Sequence, residues 1–290
     1  MSQRAAVLGH PIGHSKSPAL HGSAYAKLGV DISYSAIDVT VEQLPDFMKQ
    51  LESDRSWCGL SVTMPLKSAM FGAVDEARGA AAHLGVVNTV VFETSGSRVR
   101  RIGYNTDVEG IVEAVRYAGV RTKPNAVILG GGGTSAAAIA ALHQLGSASA
   151  EIFVRDVSRT AEAKAAASAV GLPIEVRPME GAAASAVAAD LVISTLPPRA
   201  ADGIAAELST FPAARSRAEQ AVLLDVAYDP WPSKIAEAWG ERGGVVVPGL
   251  EMLLYQAVEQ VRRFAGLDGE VTADVIDVMC DSVGLPRRVL

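Results

Sequence analysis

The sequence predicts an α/β protein whose second half is a doubly wound parallel sheet, and three observations carry that expectation. Residues 126–129 (Ala-Val-Ile-Leu) form a short apolar run that ends on four consecutive glycines, Gly130 to Gly133. Further apolar runs follow at 151–154, near 173–176, and at 190–195, 221–226 and 244–247. Stretches of Ala, Glu, Lys and Leu separate most of them, as helices separate the strands of a parallel sheet.

Each element of that half has a local reason. Residues 126–129 read as a buried strand and 134–145 as an alanine-rich helix. Glycine between them permits a turn at positive φ and leaves no Cβ between the backbone and a pyrophosphate on the helix N-terminus. Gly130 and Gly132 fill the first two glycine positions of the dinucleotide fingerprint, while Ser135 or Ala136 stands where the third would lie. A glycine turn alone is common. The strand series around it makes this a Rossmann-type dinucleotide-binding domain, with Gly130, Gly131, Gly132, Gly133 and Thr134 as cofactor residues. The second strand ends in Arg155 and Asp156, where an adenosine ribose is expected, and Arg159 follows in the first turn of the next helix. Two guanidinium groups suit a 2′-phosphate, whereas Asp156 would accept from a ribose 2′-hydroxyl and repel a phosphate. The charge balance favours NADP, and Asp156 keeps NAD open.

Composition narrows the classes. The 290 residues suggest two domains, and 26 Lys and Arg against 32 Asp and Glu give a net charge of −6. That mild acidity argues against nucleic acid or an anionic membrane as partner. Two cysteines, Cys58 and Cys280, in apolar contexts suggest buried thiols in a reducing compartment. Neither a signal peptide nor a membrane-spanning run is visible, so a cytoplasmic location is expected.

The first half reads as a second α/β unit. Residues 5–9 form a strand, and Ser15-Lys16-Ser17-Pro18 leads into a helix through Leu28. Ser17 is either that helix's N-cap or, with Ser15, a pair of hydroxyls that grips a carboxylate. Residues 32–39 alternate like a strand and 41–51 are helical. A further strand ends near Val62, with Thr63 just beyond it and Lys67 in the first turn after Pro65. A lone lysine is ordinarily a solvated charge, but a position past a strand end is where sites form in α/β proteins. Asn88 is a polar residue within the apolar run 85–91. Asn105 and Asp107 follow another strand and precede a helix to about Ala118, of which Asp107 could be the N-cap. Lys67 and Asp107 are the ionisable pair most suited to acid–base work.

Together these motifs resemble the shikimate dehydrogenase family, over nearly the whole chain. They are Ser-Lys-Ser-Pro-Ala-Leu-His at 15–21, Val-Thr-Met-Pro-Leu-Lys at 62–67, Val-Asn-Thr at 87–89, Asn-Thr-Asp at 105–107, the glycine loop, and Gly-Leu-Glu-Met-Leu-Leu-Tyr-Gln-Ala at 249–257. The resemblance implies a substrate domain from residues 1–106 and 248–290, with an NADP-binding domain at 107–247 inserted. It implies that Ser15 and Ser17 hold a substrate carboxylate, and that Thr63, Asn88, Asn105 and Gln256 bond ring hydroxyls. Lys67 and Asp107 would be catalytic, Tyr228 would face the nicotinamide, and Gly249 would join the cofactor residues. The implied reaction is the reversible NADP-dependent reduction of 3-dehydroshikimate to shikimate, in aromatic amino-acid biosynthesis, by a monomer or homodimer without a metal. Alternatives are a relative acting on quinate or an amino analogue, and a non-catalytic nucleotide sensor. The chain departs from the family pattern at Gly22 and Ser61, each in place of an asparagine, and at Asp156, where NADP-dependent members usually carry threonine.

Overall fold

The computed structural model describes residues 2–96, 98–212 and 221–288, with the side chains of Ser53, Ser95 and Arg159 outside that description. The chain divides into two units, Met1–Asp107 with Leu253–Leu290, and Val108–Met252.

The first unit runs β1 (Gln3–Gly9), α1 (Ser17–Leu28), β2 (Ile32–Asp38), α2 (Leu44–Gln50), β3 (Trp57–Val62), α3 (Lys67–Phe71), β4 (Glu76–Ala77), α4 (Ala80–Leu84), β5 (Thr89–Ser95) and β6 (Arg98–Tyr104). Its sheet has the order β2-β1-β3-β5-β6-β4. β1 pairs in parallel with β2 and β3, whereas β5 is antiparallel to both β3 and β6. Only Gly96 and Ser97 separate β5 from β6 in sequence, too few for a parallel crossover, so the pair is a hairpin. This half is therefore a mixed sheet.

Successive strand residues point to opposite faces and feed two cores. One joins Ala6, Leu8, Leu60, Val62 and Val90 to Leu44, Met48, Leu66 and Met70. The other joins Ala5 and Cys58 to Leu20, Ala24 and Tyr25 of α1 and to residues that return from the end of the chain. Those lie on α11 (Gly249–Phe264) and α12 (Ala273–Val283). Leu254, Ala257, Val261 and Phe264 form the helical stripe on α11 that fills this face. Burial of each larger apolar side chain contributes about 1.5–3 kcal/mol. Cys58 and Cys280 are buried thiols, as expected from the sequence, and burial pushes the Cys58 thiol up to about 11.

The second unit continues with α5 (Asp107–Tyr117), β7 (Ala126–Leu129), α6 (Gly133–Gln144), β8 (Ala150–Val154), α7 (Ala161–Val170), β9 (Ile174–Pro178), α8 (Ala182–Ala188), β10 (Leu191–Ser194), α9 (Asp202–Leu208), β11 (Val222–Asp225), α10 (Lys234–Glu241) and β12 (Val245–Pro248). Every pairing is parallel, in the order β12-β11-β10-β7-β8-β9. The order reverses between β7 and β10, the place where ligands of such sheets bind. β7, β10 and β11 are buried throughout, which is why β7 reads as an unbroken apolar run and the other two as apolar runs that end on the polar Ser194 and Asp225. Among the described residues no helix is long and apolar enough to cross a membrane.

Candidate active site

In the first unit two strand-end loops bring Lys67 and Asp107 together. Lys67 opens α3 directly after the β3 strand end, and Asp107 opens α5 after β6. The Lys67 ammonium donates to Asp107 Oδ2 at 2.5 Å, with side-chain exposures of 16% and 6%. The pair is therefore largely withdrawn from water, while the lysine keeps a solvent-facing edge. A carboxylate in the first turn of α5 also meets the positive end of the helix dipole. Asn105 Oδ1 accepts from the Asp107 backbone N–H at 3.1 Å, and Asn105 Nδ2 donates to the Val86 carbonyl.

Asn88 fixes the other carboxylate oxygen. Its Nδ2 donates to Asp107 Oδ1 at 2.8 Å and to Thr106 Oγ1 at 3.1 Å. Its Oδ1 accepts from the Thr106 backbone N–H at 2.7 Å and from Thr89 Oγ1 at 2.8 Å. Both amide protons of Asn88 are thus engaged within the protein, one of them directly on the carboxylate that holds Lys67.

Behind this lies a buried polar cluster that the sequence motifs only partly contain. Gln260 of α11 donates through Nε2 to Thr89 Oγ1 at 2.9 Å and to the Asn88 carbonyl at 3.3 Å. Its Oε1 accepts from Ser61 Oγ at 2.7 Å and faces His21 Nε2 at 3.2 Å. Because a carbonyl only accepts, the bond to Asn88 fixes which way the Gln260 amide points. His21 Nε2 must then carry the ring proton, and Nδ1 accepts from the Tyr25 hydroxyl at 3.0 Å. Tyr34 stacks on His21 with centroids 3.9 Å apart and donates to Ser61 Oγ at 2.7 Å. Complete burial holds His21 at about 3, far below an ordinary imidazole, against the opposing bond from Gln260.

The remaining first-unit candidates lie as follows. α1 starts at Ser17 with Lys16 as N-cap and no side-chain cap, so Ser17 is not the cap that one sequence reading allowed. Ser17 is buried, and its backbone N–H donates to Ser15 Oγ at 3.3 Å. Thr63 is half-buried at the end of β3. Gln256, one turn before Gln260, is 6% exposed and donates from Nε2 to the Leu253 carbonyl.

In the second unit the glycine loop sits at the β7–β10 reversal. Gly130 has φ +112°, and a Cβ there would lie 2.4 Å from Thr195 Oγ1. Thr195 Oγ1 spends its proton on the Leu129 carbonyl, so Ser135 Oγ donates to it at 2.7 Å. A Cβ on the exposed Gly132, by contrast, would meet nothing within 4 Å. Nothing in the protein requires glycine at 132, which fits a loop kept bare for a phosphate approaching the N-terminus of α6. Gly249 has its own packing reason, since a Cβ there would lie 2.2 Å from the Val226 carbonyl oxygen. Arg155 is exposed at the end of β8. The Arg159 side chain lies outside the described residues. Asp156 Oδ1 accepts from both the backbone N–H and the hydroxyl of Ser158, capping the turn at 157–159. Tyr228 follows β11 and is half-buried, with its phenol pushed up by burial. Among the described residues no cluster of metal-ligating side chains occurs.

Residues 7–90 match the model of the shikimate dehydrogenase substrate-binding domain. The NADP(+) shikimate dehydrogenase of Thermus thermophilus is 35% identical over 91% of this chain and 93% of its own. The chain belongs to the shikimate dehydrogenase family. The crystal structure of the Mycobacterium tuberculosis shikimate dehydrogenase superposes with a TM-score of 0.81 at 35% identity, covering 98% of this chain and all of that one. A Thermus thermophilus shikimate 5-dehydrogenase solved with NADP(H) and shikimate gives 0.75 at 30% identity, covering 97% of this chain and 99% of that one.

Within this shikimate dehydrogenase framework, sequence reasoning missed Gln260, Thr89, Thr106 and Tyr34. Thr89 and Thr106 stand inside quoted motifs, next to Asn88 and Asp107, which is a signal that could have singled them out. Gln260 and Tyr34 carry no local signal. Their hydrogen-bond partners are 27 to 239 residues away in the chain.

Proposed function

We propose that the chain catalyses the NADP-dependent, reversible reduction of 3-dehydroshikimate to shikimate, a step toward aromatic amino acids. The observation that carries the reading is the Lys67–Asp107 ion pair, braced by Asn88 in a chain of this family. When bound, the nicotinamide cofactor supplies or accepts the hydride. Reduction of the ketone also needs one proton on the new alkoxide oxygen. Lys67 gives that proton from Nζ and, in the oxidising direction, takes it from the hydroxyl. Asp107 keeps the ammonium aimed and balances its charge. The solvent-facing edge of Lys67 lets water restore the proton after each turnover.

Ser15 and Ser17 are the proposed carboxylate ligands, because both stand where α1 begins, with the Ser17 backbone N–H bonded to Ser15 Oγ. Thr63, Asn88, Asn105, Gln256 and Tyr228 are the proposed contacts to the ring. For the cofactor, Gly130 to Gly133 and Thr134 would hold the pyrophosphate, with Gly249 nearby and Arg155 and Arg159 toward a 2′-phosphate. Asp156 Oδ1 is engaged by Ser158, but the carboxylate keeps its charge against a 2′-phosphate, so the preference for NADP rests on Arg155 and Arg159.

The test is a spectrophotometric assay of the purified protein with shikimate and with quinate, each with NADP and with NAD. Shikimate with NADP should give the highest kcat/KM. Quinate turning over faster would place the chain with the quinate enzymes, and no turnover with any pair would leave the nucleotide-sensing alternative.

A further inference from the structure

We propose that Gln260 is a positioning residue for the Lys67–Asp107 pair, acting from α11 through Thr89 and Asn88. The inference rests on reading that pair as the acid–base machinery.

Gln260 is buried, at 1% exposure, and its carboxamide uses both protons and both lone pairs. Each bond ends on a segment that carries the site. Ser61 lies in β3, two residues before Thr63 and six before Lys67. His21 lies on α1, the helix that opens at Ser17. The two donated bonds reach Asn88 and its neighbour. The Asn88 carbonyl accepts from the Val62 backbone N–H at 2.7 Å as well as from Gln260, so both of its lone pairs are used. The Thr89 hydroxyl, held by Gln260 Nε2, donates its only proton to Asn88 Oδ1. With Oδ1 held, Nδ2 is held too, because the carboxamide is planar. Nδ2 is the donor to Asp107 Oδ1, whose sister oxygen binds Lys67. One direction of hydrogen bonding therefore runs from Gln260 through Thr89 and Asn88 to Asp107.

A reading in which Gln260 only satisfies buried polar atoms explains its four bonds but not where they end. The two readings predict different kinetics. A pure packing role lowers stability and leaves the folded enzyme's kcat intact. A positioning role lowers kcat in the folded enzyme with little change in KM, since displacement of a reacting group by a fraction of an ångström is costly.

The experiment uses the full chain with Gln260→Met, which keeps length and removes all four bonds. A second variant, Thr89→Val, keeps shape and removes the hydroxyl that links Gln260 Nε2 to Asn88 Oδ1 and lies 3.2 Å from Thr106 Oγ1, while the direct bond from Gln260 to the Asn88 carbonyl remains. Folding is checked by circular dichroism, and kcat and shikimate KM are measured at saturating cofactor. Each variant should lose about 10- to 100-fold in kcat with KM within about twofold. The double variant should lose no more than the worse single one, because both interrupt one chain. Should Gln260→Met fail to fold, Thr89→Val decides the matter alone. Folded variants with kcat within about twofold of wild type, or with losses confined to KM, overturn the proposal. Lys67→Met is assayed alongside: if it too keeps kcat, the acid–base reading has failed, whereas loss in Lys67→Met alone removes only the role of Gln260.

Discussion

Acid should act on the folded first unit through His21 before it acts through the paired carboxylates. The imidazole is fully buried, its Nε2 proton is given to Gln260, and its Nδ1 accepts from Tyr25. Folded His21 protonates only near 3, whereas the exposed side chain does so at 6.5. Between those values the unfolded chain binds the extra proton, so stability rises with pH across the window. It is fully present above 6.5 and is lost progressively as the pH falls toward 3. Each pH unit well inside the window costs about 1.4 kcal/mol, so passing from pH 7 to pH 5 should remove about 2 kcal/mol. Carboxylates whose values are lowered by partners, such as Asp54 and Asp75, lose stability only at lower pH and do not confuse this interval. The assay is urea unfolding at pH 7 and pH 5 for wild type and for His21→Gln. The variant is less stable throughout, but the quantity of interest is the difference in pH dependence, in which the other four histidines cancel. Wild type should lose about 2 kcal/mol more than the variant over the interval. Equal losses would show that the buried ring is not the acid-sensitive group.

Other outcomes follow from the same coordinates. Lys67→Met should lower kcat by about 10²- to 10⁴-fold with a much smaller change in shikimate KM, measured at steady state. Ser15→Ala and Ser17→Ala should each cost roughly 1.5–3 kcal/mol in kcat/KM for shikimate, and far less for its uncharged carboxamide. Wild type should prefer NADPH over NADH by about tenfold in kcat/KM, and Arg155→Ala should lose most of that preference at equal ionic strength. Gly249→Ala should depress the melting temperature, because its Cβ would lie 2.2 Å from the Val226 carbonyl oxygen.

The elements that could be read in the sequence are those with local causes. The strand at 126–129, the glycine turn after it and the helix at 134–145 coincide with β7, its loop and, to within a residue at each end, α6, because a buried parallel strand and the turn and helix after it write their signals into adjacent residues. Lys67 and Asp107 were legible for a related reason, since both stand just past strand ends. Pairing direction was only partly legible: the two residues between β5 and β6 force a hairpin, but nothing in residues 85–104 shows that β5 runs against β3. Gln260 was invisible because its meaning lies in Ser61, His21, Asn88 and Thr89, all far away in the chain. Asp156 shows the opposite limit. Its charge and position were correctly noted, yet a hydroxyl two residues on had already engaged the carboxylate.

The return of the chain to its first unit has a consequence for synthesis. Residues 108–252 are continuous and carry their whole parallel sheet, so that unit has every strand once its own last residue has left the ribosome. The first unit does not. Ala5, Leu20, Tyr25 and Cys58 wait for Leu254, Val261 and Met279 to cover them, and Asn88 waits for Gln260. A nascent chain stalled before residue 253 would hold both Lys67 and Asp107 while exposing an apolar sheet face to chaperones and proteases. Truncation between residues 253 and 290 should therefore be read out as degradation or aggregation, before any loss of chemistry can be measured.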